Sequence, residues 1–240
     1  MTRPDLALLV LAKAPVPGQV KTRMCPPATP AQAASIAAAM LLDTLHVVRA
    51  VPGAQAVLAL AGDLSHSSHS AARAELSAAL RGIPVVRQRG ASLGERIAAA
   101  HADTAALLPG VPVLQLGGDT PQVDPDLLES CWRAMGGVDA VLGPATDGGW
   151  WALGLHDPAM AAAIADVPTG RSDTGERTAA ALRRQGCRLG ILPWLSDVDT
   201  VADALRVART VPGSRFAAAL APVVAPGGHA IQNETGIEAP

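Results

Sequence analysis

Three cations crowd the run Lys13-Ala-Pro-Val-Pro-Gly-Gln-Val-Lys-Thr-Arg23, in a chain of 240 residues with only 19 lysines and arginines. The compact ammonium groups of Lys13 and Lys21 and the forked guanidinium of Arg23 suit a di- or triphosphate. Gly18 lets the backbone come close to a ligand, and the prolines stiffen the loop. With Ala12, Ala14, Gly18 and Thr22, these cations form the expected nucleotide-phosphate loop. It is not a Walker A loop, since no GxxxxG frame precedes Lys21-Thr22. A solvated loop with ordinary surface charges is the plainer reading.

Three further segments carry carboxylates beside glycines or at strand ends. Gly117-Gly118-Asp119-Thr120-Pro121 clears space around one carboxylate, a hard oxygen ligand able to hold Mg²⁺ (or Mn²⁺) against phosphate. A lone aspartate in a turn also bonds its own backbone. Gly143-Pro-Ala-Thr-Asp-Gly-Gly-Trp-Trp151 reads as an acceptor pocket built from Asp147, Gly148, Gly149, Trp150 and Trp151, or as a plain hairpin turn. Side chains alternate along a strand, so one tryptophan can line a pocket while the other enters the core. Asp197-Val-Asp-Thr200 offers a second metal carboxylate, Asp199, or a helix cap, with Asp197 as a rival ligand. Gln88-Arg-Gly-Ala-Ser-Leu-Gly94 opens a helix whose N-terminus can receive an anion, adding Gln88, Gly94 and Gly118 to the phosphate side. Asp119, Asp147 and Lys21 are the expected catalytic groups. His66 and His69 lack a carboxylate or cysteine partner nearby and read as solvent-exposed; His46, His101 and His156 fit no pattern.

Short apolar runs alternating with helical stretches must position these segments. Leu6–Ala12 is continuously apolar, as in a strand buried on both faces. Strands are expected at 56–61, 84–87, 113–116, 140–142, 150–155 and 188–192. Helices are expected at 31–49, 71–80, from Ser92 to about 108, from Asp124-Pro125 to 135, from Asp173 to about 186, and at 200–209. Ser92 with Glu95 and Asp173 with Glu176 read as capping boxes. This order predicts a Rossmann-like α/β domain over residues 1–211, its mostly parallel sheet covered by helices on both faces. Residues 212–240 read as a short helix around Phe216 and a Pro/Gly-rich mobile tail from Pro226.

Composition limits the partners. Hydrophobic residues make up 49% of the chain and aromatic ones 2%, with no tyrosine and a formal charge of −2. Such a surface has neither stacking platforms nor a basic field for nucleic acid. Three scattered cysteines without a CxxC pair fit a reducing compartment and no zinc site. The first apolar run is too short to span a membrane, so a cytoplasmic protein without membrane insertion is expected.

The segments AKAPVPGQVKTR (12–23), LGERI (93–97), GGDTP (117–121), GPATDGGWW (143–151) and DVDT (197–200), in this order, resemble the DUF2064 family of GT-A-type, nucleotide-diphospho-sugar-transferase-like proteins. The resemblance runs from about Leu6 to Leu205. It implies a GT-A fold, kinship with nucleotidylyltransferases, a first loop that holds nucleotide phosphates, and Asp119 and Asp199 as the metal carboxylates. It departs from that kinship in carrying GDT rather than a two-carboxylate DxD, and Trp150-Trp151 where Tyr-Tyr or Tyr-Leu is expected. The implied activity is Mg²⁺-dependent glycosyl transfer from a nucleotide-diphospho-sugar to a small acceptor. Nucleotidyl transfer with release of pyrophosphate is the alternative, and a non-catalytic nucleotide-binding module the third.

Overall fold

The computed structural model describes residues 3–67 and 70–225. His69 and the tail read from Pro226 onward lie outside the described residues. Seven strands form one sheet in the order β3-β2-β1-β4-β6-β5-β7. They are β1 (Leu6–Lys13), β2 (Ala54–Ala61), β3 (Val85–Arg87), β4 (Val113–Gly117), β5 (Ala140–Pro144), β6 (Trp150–Leu155) and β7 (Leu189–Ile191). β1 is central and pairs in parallel with β2 and β4, Leu9 opposite Val57 on one side and Gln115 on the other. Its apolar run is what a doubly covered strand requires, and Leu6 to Val10 are all buried.

Helices cover both faces. α1 (Pro30–Ala50), α2 (Ser70–Ala79) and α4 (Pro125–Met135) lie on one face, packed on Leu8, Val10 and Leu114. α3 (Leu93–Leu107) and α5 (Thr174–Arg184) lie on the other, with a 3₁₀ helix at Pro158–Ile164 between them that the sequence did not announce. α6 (Val201–Ala208) and α7 (Arg215–Val224) close over α1 through Met40, Val207, Phe216 and Leu220. α1 starts where Thr29 and Gln32 cap each other and Pro30 presets the first turn. Among the described residues α1 is the one helix long and apolar enough to cross a membrane, and 67% of its apolar window is buried inside the protein.

β6 runs antiparallel to both its neighbours, because the hairpin after β5 returns it between β5 and β4. Its beginning, at Trp150, therefore lies at the same edge as the ends of β1, β3 and β4. That edge is where ligands meet open α/β sheets.

At two positions long-range contacts set the local structure. Asp173 precedes α5 but makes no capping bond with its side chain. Its carboxylate instead accepts from Arg171 Nε at 3.2 Å and Arg177 Nε at 2.7 Å. Gly94 is packed against a neighbouring element. A Cβ there would stand 2.5 Å from the carbonyl oxygens of Ile164 and Ala165, so the residue is small because α3 docks on the 3₁₀ helix.

Candidate functional site

A cavity of about 480 Å³ opens at the carboxyl edge, and four groups of residues line it. The first comes from the loop after β1. Met24 is fully buried against α1, and its N–H donates to the Lys21 carbonyl at 3.0 Å. Lys21 itself sits at φ 47°, ψ 37°, and among the described residues no other non-glycine has a positive φ. Left-handed backbone costs an ordinary residue roughly 1–2 kcal/mol, so something must hold it there. The anchor is Met24 behind it and a pair of carboxylates in front.

Lys21 Nζ donates to Asp119 Oδ2 at 3.0 Å and to Asp199 Oδ1 at 2.9 Å, with the side chain only 11% exposed. Burial works against the ammonium charge, but the two carboxylates outweigh it and hold the lysine above its usual range. Arg23 Nη1 adds a longer, exposed contact of 3.3 Å to Asp199 Oδ2. Asp119 and Asp199 thus share one nitrogen, and those oxygens are at most 5.9 Å apart, the 3.0 and 2.9 Å legs laid end to end.

The second group is the acidic seam between β4 and α6. Val198 N–H donates to the Asp119 carbonyl at 3.1 Å, which stitches the two segments together. Thr200 and Asp203 cap α6 reciprocally, so the Asp199 carboxylate is released from capping. Asp119 likewise spends its carboxylate on Lys21 rather than on its own turn. Asp197 lies between, and its Oδ1 is buried without a hydrogen-bond partner. Burial, and then the carboxylates of Asp119 and Asp147, push it up to about 8.

The third group surrounds the β5–β6 turn. Asp147 Oδ1 accepts from Gly149 N–H at 2.8 Å, the local bond of a turn former, while the residue still borders the cavity. Gly148 does not border it; a Cβ there would collide with the Ser172 carbonyl, so the glycine lets the turn lie against the start of α5. The tryptophans face opposite sides of the sheet. Trp151 is buried with its Nε1 on the Pro193 carbonyl at 2.9 Å, and half-buried Trp150 donates to Thr178 Oγ1 at 3.1 Å.

The fourth group was not singled out from the sequence: Leu93, Arg96, Thr169, Arg171 and Thr174 on the α3–α5 side, and Gln115 on β4. Gln115 Oε1 accepts from Nε2 of fully buried His101 at 3.0 Å. Burial lowers that imidazole to about 4 against the opposing Gln115 bond. Arg96 belongs to the LGERI run but was not assigned a role, and Arg171 follows a Pro-Thr-Gly stretch just before a helix, a loop composition like that before Lys21. Of the expected phosphate residues, Ala12, Lys13, Lys21, Thr22, Arg23, Gln88 and Gly118 border the cavity. Ala14 and Gly18 do not: Ala14 turns to a neighbouring groove, where its N–H donates to Ala61 O. Gln88 spends its amide on the carbonyls of Ala12 and Ala59, both at 2.9 Å, and so clamps two strand ends.

Among the described residues no three His, Cys, Asp or Glu side chains close on one point to hold a metal. The donor set nevertheless fits a hard cation that takes one or two carboxylates and completes its shell with water and phosphate. Asp119 and Asp199 converge on one ammonium at the cavity, and Asp197 beside them carries a buried oxygen without a partner.

Among solved structures, a provisionally named nucleotide-diphospho-sugar transferase of Desulfovibrio desulfuricans G20 is 26% identical, with a TM-score of 0.76, covering 90% of this chain and 94% of its own. Rv0371c of Mycobacterium tuberculosis H37Rv, in complex with manganese, is 21% identical with a TM-score of 0.51, covering 85% and 98%. CMP:2-keto-3-deoxy-manno-octonic acid synthetase with CTP is 11% identical with a TM-score of 0.53, covering 87% and 98%. The last two share the fold. No curated protein matches the chain. Residues 44–171, more than half the sequence and including the Asp119 and Asp147 turns, match the family described as "uncharacterized protein conserved in bacteria", and the chain therefore belongs to DUF2064.

Proposed function

We propose that this chain is a transferase acting on a nucleotide-activated substrate, and that it transfers a glycosyl group from a nucleotide-diphospho-sugar to a small acceptor in a divalent-metal-dependent reaction. The observation that carries the reading is the Lys21 ammonium held between Asp119 and Asp199 at the cavity floor, with Lys13 and Arg23 beside it. The similarity to the Desulfovibrio protein, over 90% of this chain, supports the same reaction class.

In this reading Lys13, Lys21 and Arg23 bind the diphosphate and stabilise the charge it gains as it leaves. Asp119 and Asp199 would hold the metal ion, which when bound neutralises phosphate charge. The acceptor enters beside Trp150. Its oxygen forms a bond to the anomeric carbon as the bond from that carbon to the diphosphate breaks, and its proton passes to Asp147. One Asp147 oxygen is already fixed by the Gly149 N–H, which orients the carboxylate. The products are a glycosylated acceptor and a nucleoside diphosphate.

Nucleotidyl transfer is the second reading, favoured by three cations on one loop, which suit a pyrophosphate leaving group. Product analysis separates the two. Incubation with Mg²⁺ or Mn²⁺, a panel of nucleotide sugars and simple acceptors should release nucleoside diphosphate. Pyrophosphate from a nucleoside triphosphate, with no diphosphate from any nucleotide sugar, would transfer the assignment to the second reading. Binding without either product would leave a nucleotide-binding module.

A further inference from the structure

The cavity is lined by two sets of cations that come from elements on opposite faces of the sheet. Lys13, Lys21 and Arg23 stand on the α1 side, where the same cavity is floored by Met40 and Leu41 of α1. Arg96, in the first turn of α3, and Arg171, in the segment leading into α5, stand on the other face. They share one wall, because Gly94 and Ser92 press α3 against Ala165, six residues before Arg171.

Both guanidiniums are tethered in the same way. Arg96 Nε donates to the Gly90 carbonyl at 3.1 Å, and Arg171 Nε donates to Asp173 Oδ1 at 3.2 Å. Neither residue's Nη atoms have a hydrogen-bond partner among the described residues. A guanidinium fixed through Nε has its planar fork oriented in advance, so less freedom is lost when it binds a carboxylate or phosphate. The nearest acids are already engaged: Asp173 bonds Arg171 and Arg177, and Glu95 accepts from the Ala91 N–H at 2.7 Å. Buried Thr174, at the start of α5, completes this wall.

The two sets come from different elements: Lys13, Lys21 and Arg23 from the end of β1 and the loop after it, Arg96 and Arg171 from the α3–α5 wall, and only the first set includes cations bonded to Asp119 and Asp199. We propose that Arg96 and Arg171 form a second anion subsite, and that the acceptor carries a carboxylate or a phosphate monoester. The inference rests on the transferase reading only in naming its ligand as the acceptor; the subsite itself is a property of the wall.

The test uses three probes on one carbon skeleton: glycerol 3-phosphate, glycerate and glycerol. Each is titrated by calorimetry into the intact protein with saturating nucleoside diphosphate and Mg²⁺. The charged probes should bind and glycerol should not; whichever charged probe binds more tightly identifies the anion. Arg96→Gln with Arg171→Gln should weaken that binding by roughly tenfold or more, the range for lost charge-assisted hydrogen bonds. Nucleotide affinity should stay within about twofold. Arg23→Ala should show the converse pattern. Charged probes that bind the double variant as well as the wild type, or no better than glycerol, overturn the proposal. If no nucleotide binds the wild type, the transferase reading fails alone. The same titration on free protein, with Arg23→Ala separating the two cation sets, then still decides the subsite.

Discussion

Acidification from about pH 7.5 to about pH 4.5 should destabilise the protein by roughly 2–3 kcal/mol through His101 alone. The side chain is completely buried on α3; one ring nitrogen meets Gln115 Oε1 at 3.0 Å and Nδ1 has no partner. Burial lowers its pKa from 6.5 to about 4. The unfolded chain takes up a proton near 6.5, whereas the folded protein refuses it until about 4, so between those values the unfolded state binds more protons and stability falls as pH falls. Above 6.5 both states are neutral and the effect vanishes. The gap between 6.5 and about 4 is worth roughly 3 kcal/mol when complete, and by about pH 4.5 most of it is expressed. That is a large fraction of the roughly 5–15 kcal/mol that holds a domain folded. Urea unfolding at both pH values measures it, with His101→Gln as the reference, because glutamine can still bond Gln115 and does not titrate. The carboxylates held low by arginines, such as Asp139, add acid sensitivity to both proteins equally and cancel in the comparison. Equal losses of stability in wild type and variant across this range would refute the argument.

Three substitutions probe the site and its support. Lys21→Ala should abolish turnover yet tighten Mn²⁺ binding, on the order of tenfold, because the ammonium that competes for Asp119 and Asp199 is gone; paramagnetic relaxation of water reads this, and weaker binding would contradict the assignment. Asp119→Asn should leave the thermal midpoint nearly unchanged while metal-dependent nucleotide affinity falls at least tenfold by calorimetry. Gly94→Ala should destabilise the fold by about 1–3 kcal/mol through collision with the carbonyls of Ile164 and Ala165, without altering nucleotide affinity at a temperature where the variant stays folded.

The parts of this structure legible in the sequence are those decided locally. A run such as Leu6–Val10 has one stable use in an α/β protein, and Thr29-Pro30 and Asp124-Pro125 set helix starts with their own side chains. Strand ends followed then from strand positions, which is why Asp119 and Asp199 were legible as neighbours before their shared partner was known. Long-range choices were not legible. Asp173 with Glu176 has the same spacing as Ser92 with Glu95, but Arg171 and Arg177 capture the Asp173 carboxylate while Ser92 caps α3. The packing that requires a small residue at Gly94 comes from Ile164 and Ala165, about seventy residues away. His101 carries no motif, since its burial is set by β4 passing beneath α3. Arg96 and Arg171 line one cavity because α3 docks on the 3₁₀ helix, a contact between segments far apart in sequence.

Lys21 links these two kinds of information. Its sequence neighbours mark it as a phosphate-loop cation, yet nothing local requires a lysine at φ 47°, where glycine would sit without strain. The loop holds this conformation because Met24, three residues on, is packed under α1, and the chain must turn sharply between cavity and core. A relaxed backbone would leave the side chain in solvent, like that of Arg23, which is 71% exposed and makes only the longer contact to Asp199. Strain at one residue therefore places an ammonium where two carboxylates can keep it charged despite burial. Such strain persists only where the surroundings over-determine it, and here the surroundings are the β4 and α6 segments that carry the aspartates. The cation and its carboxylates are thus mutually positioned, and a ligand that drew the ammonium away would leave Asp197 facing the carboxylates of Asp119, Asp147 and Asp199 without the cation that favours its ionised form.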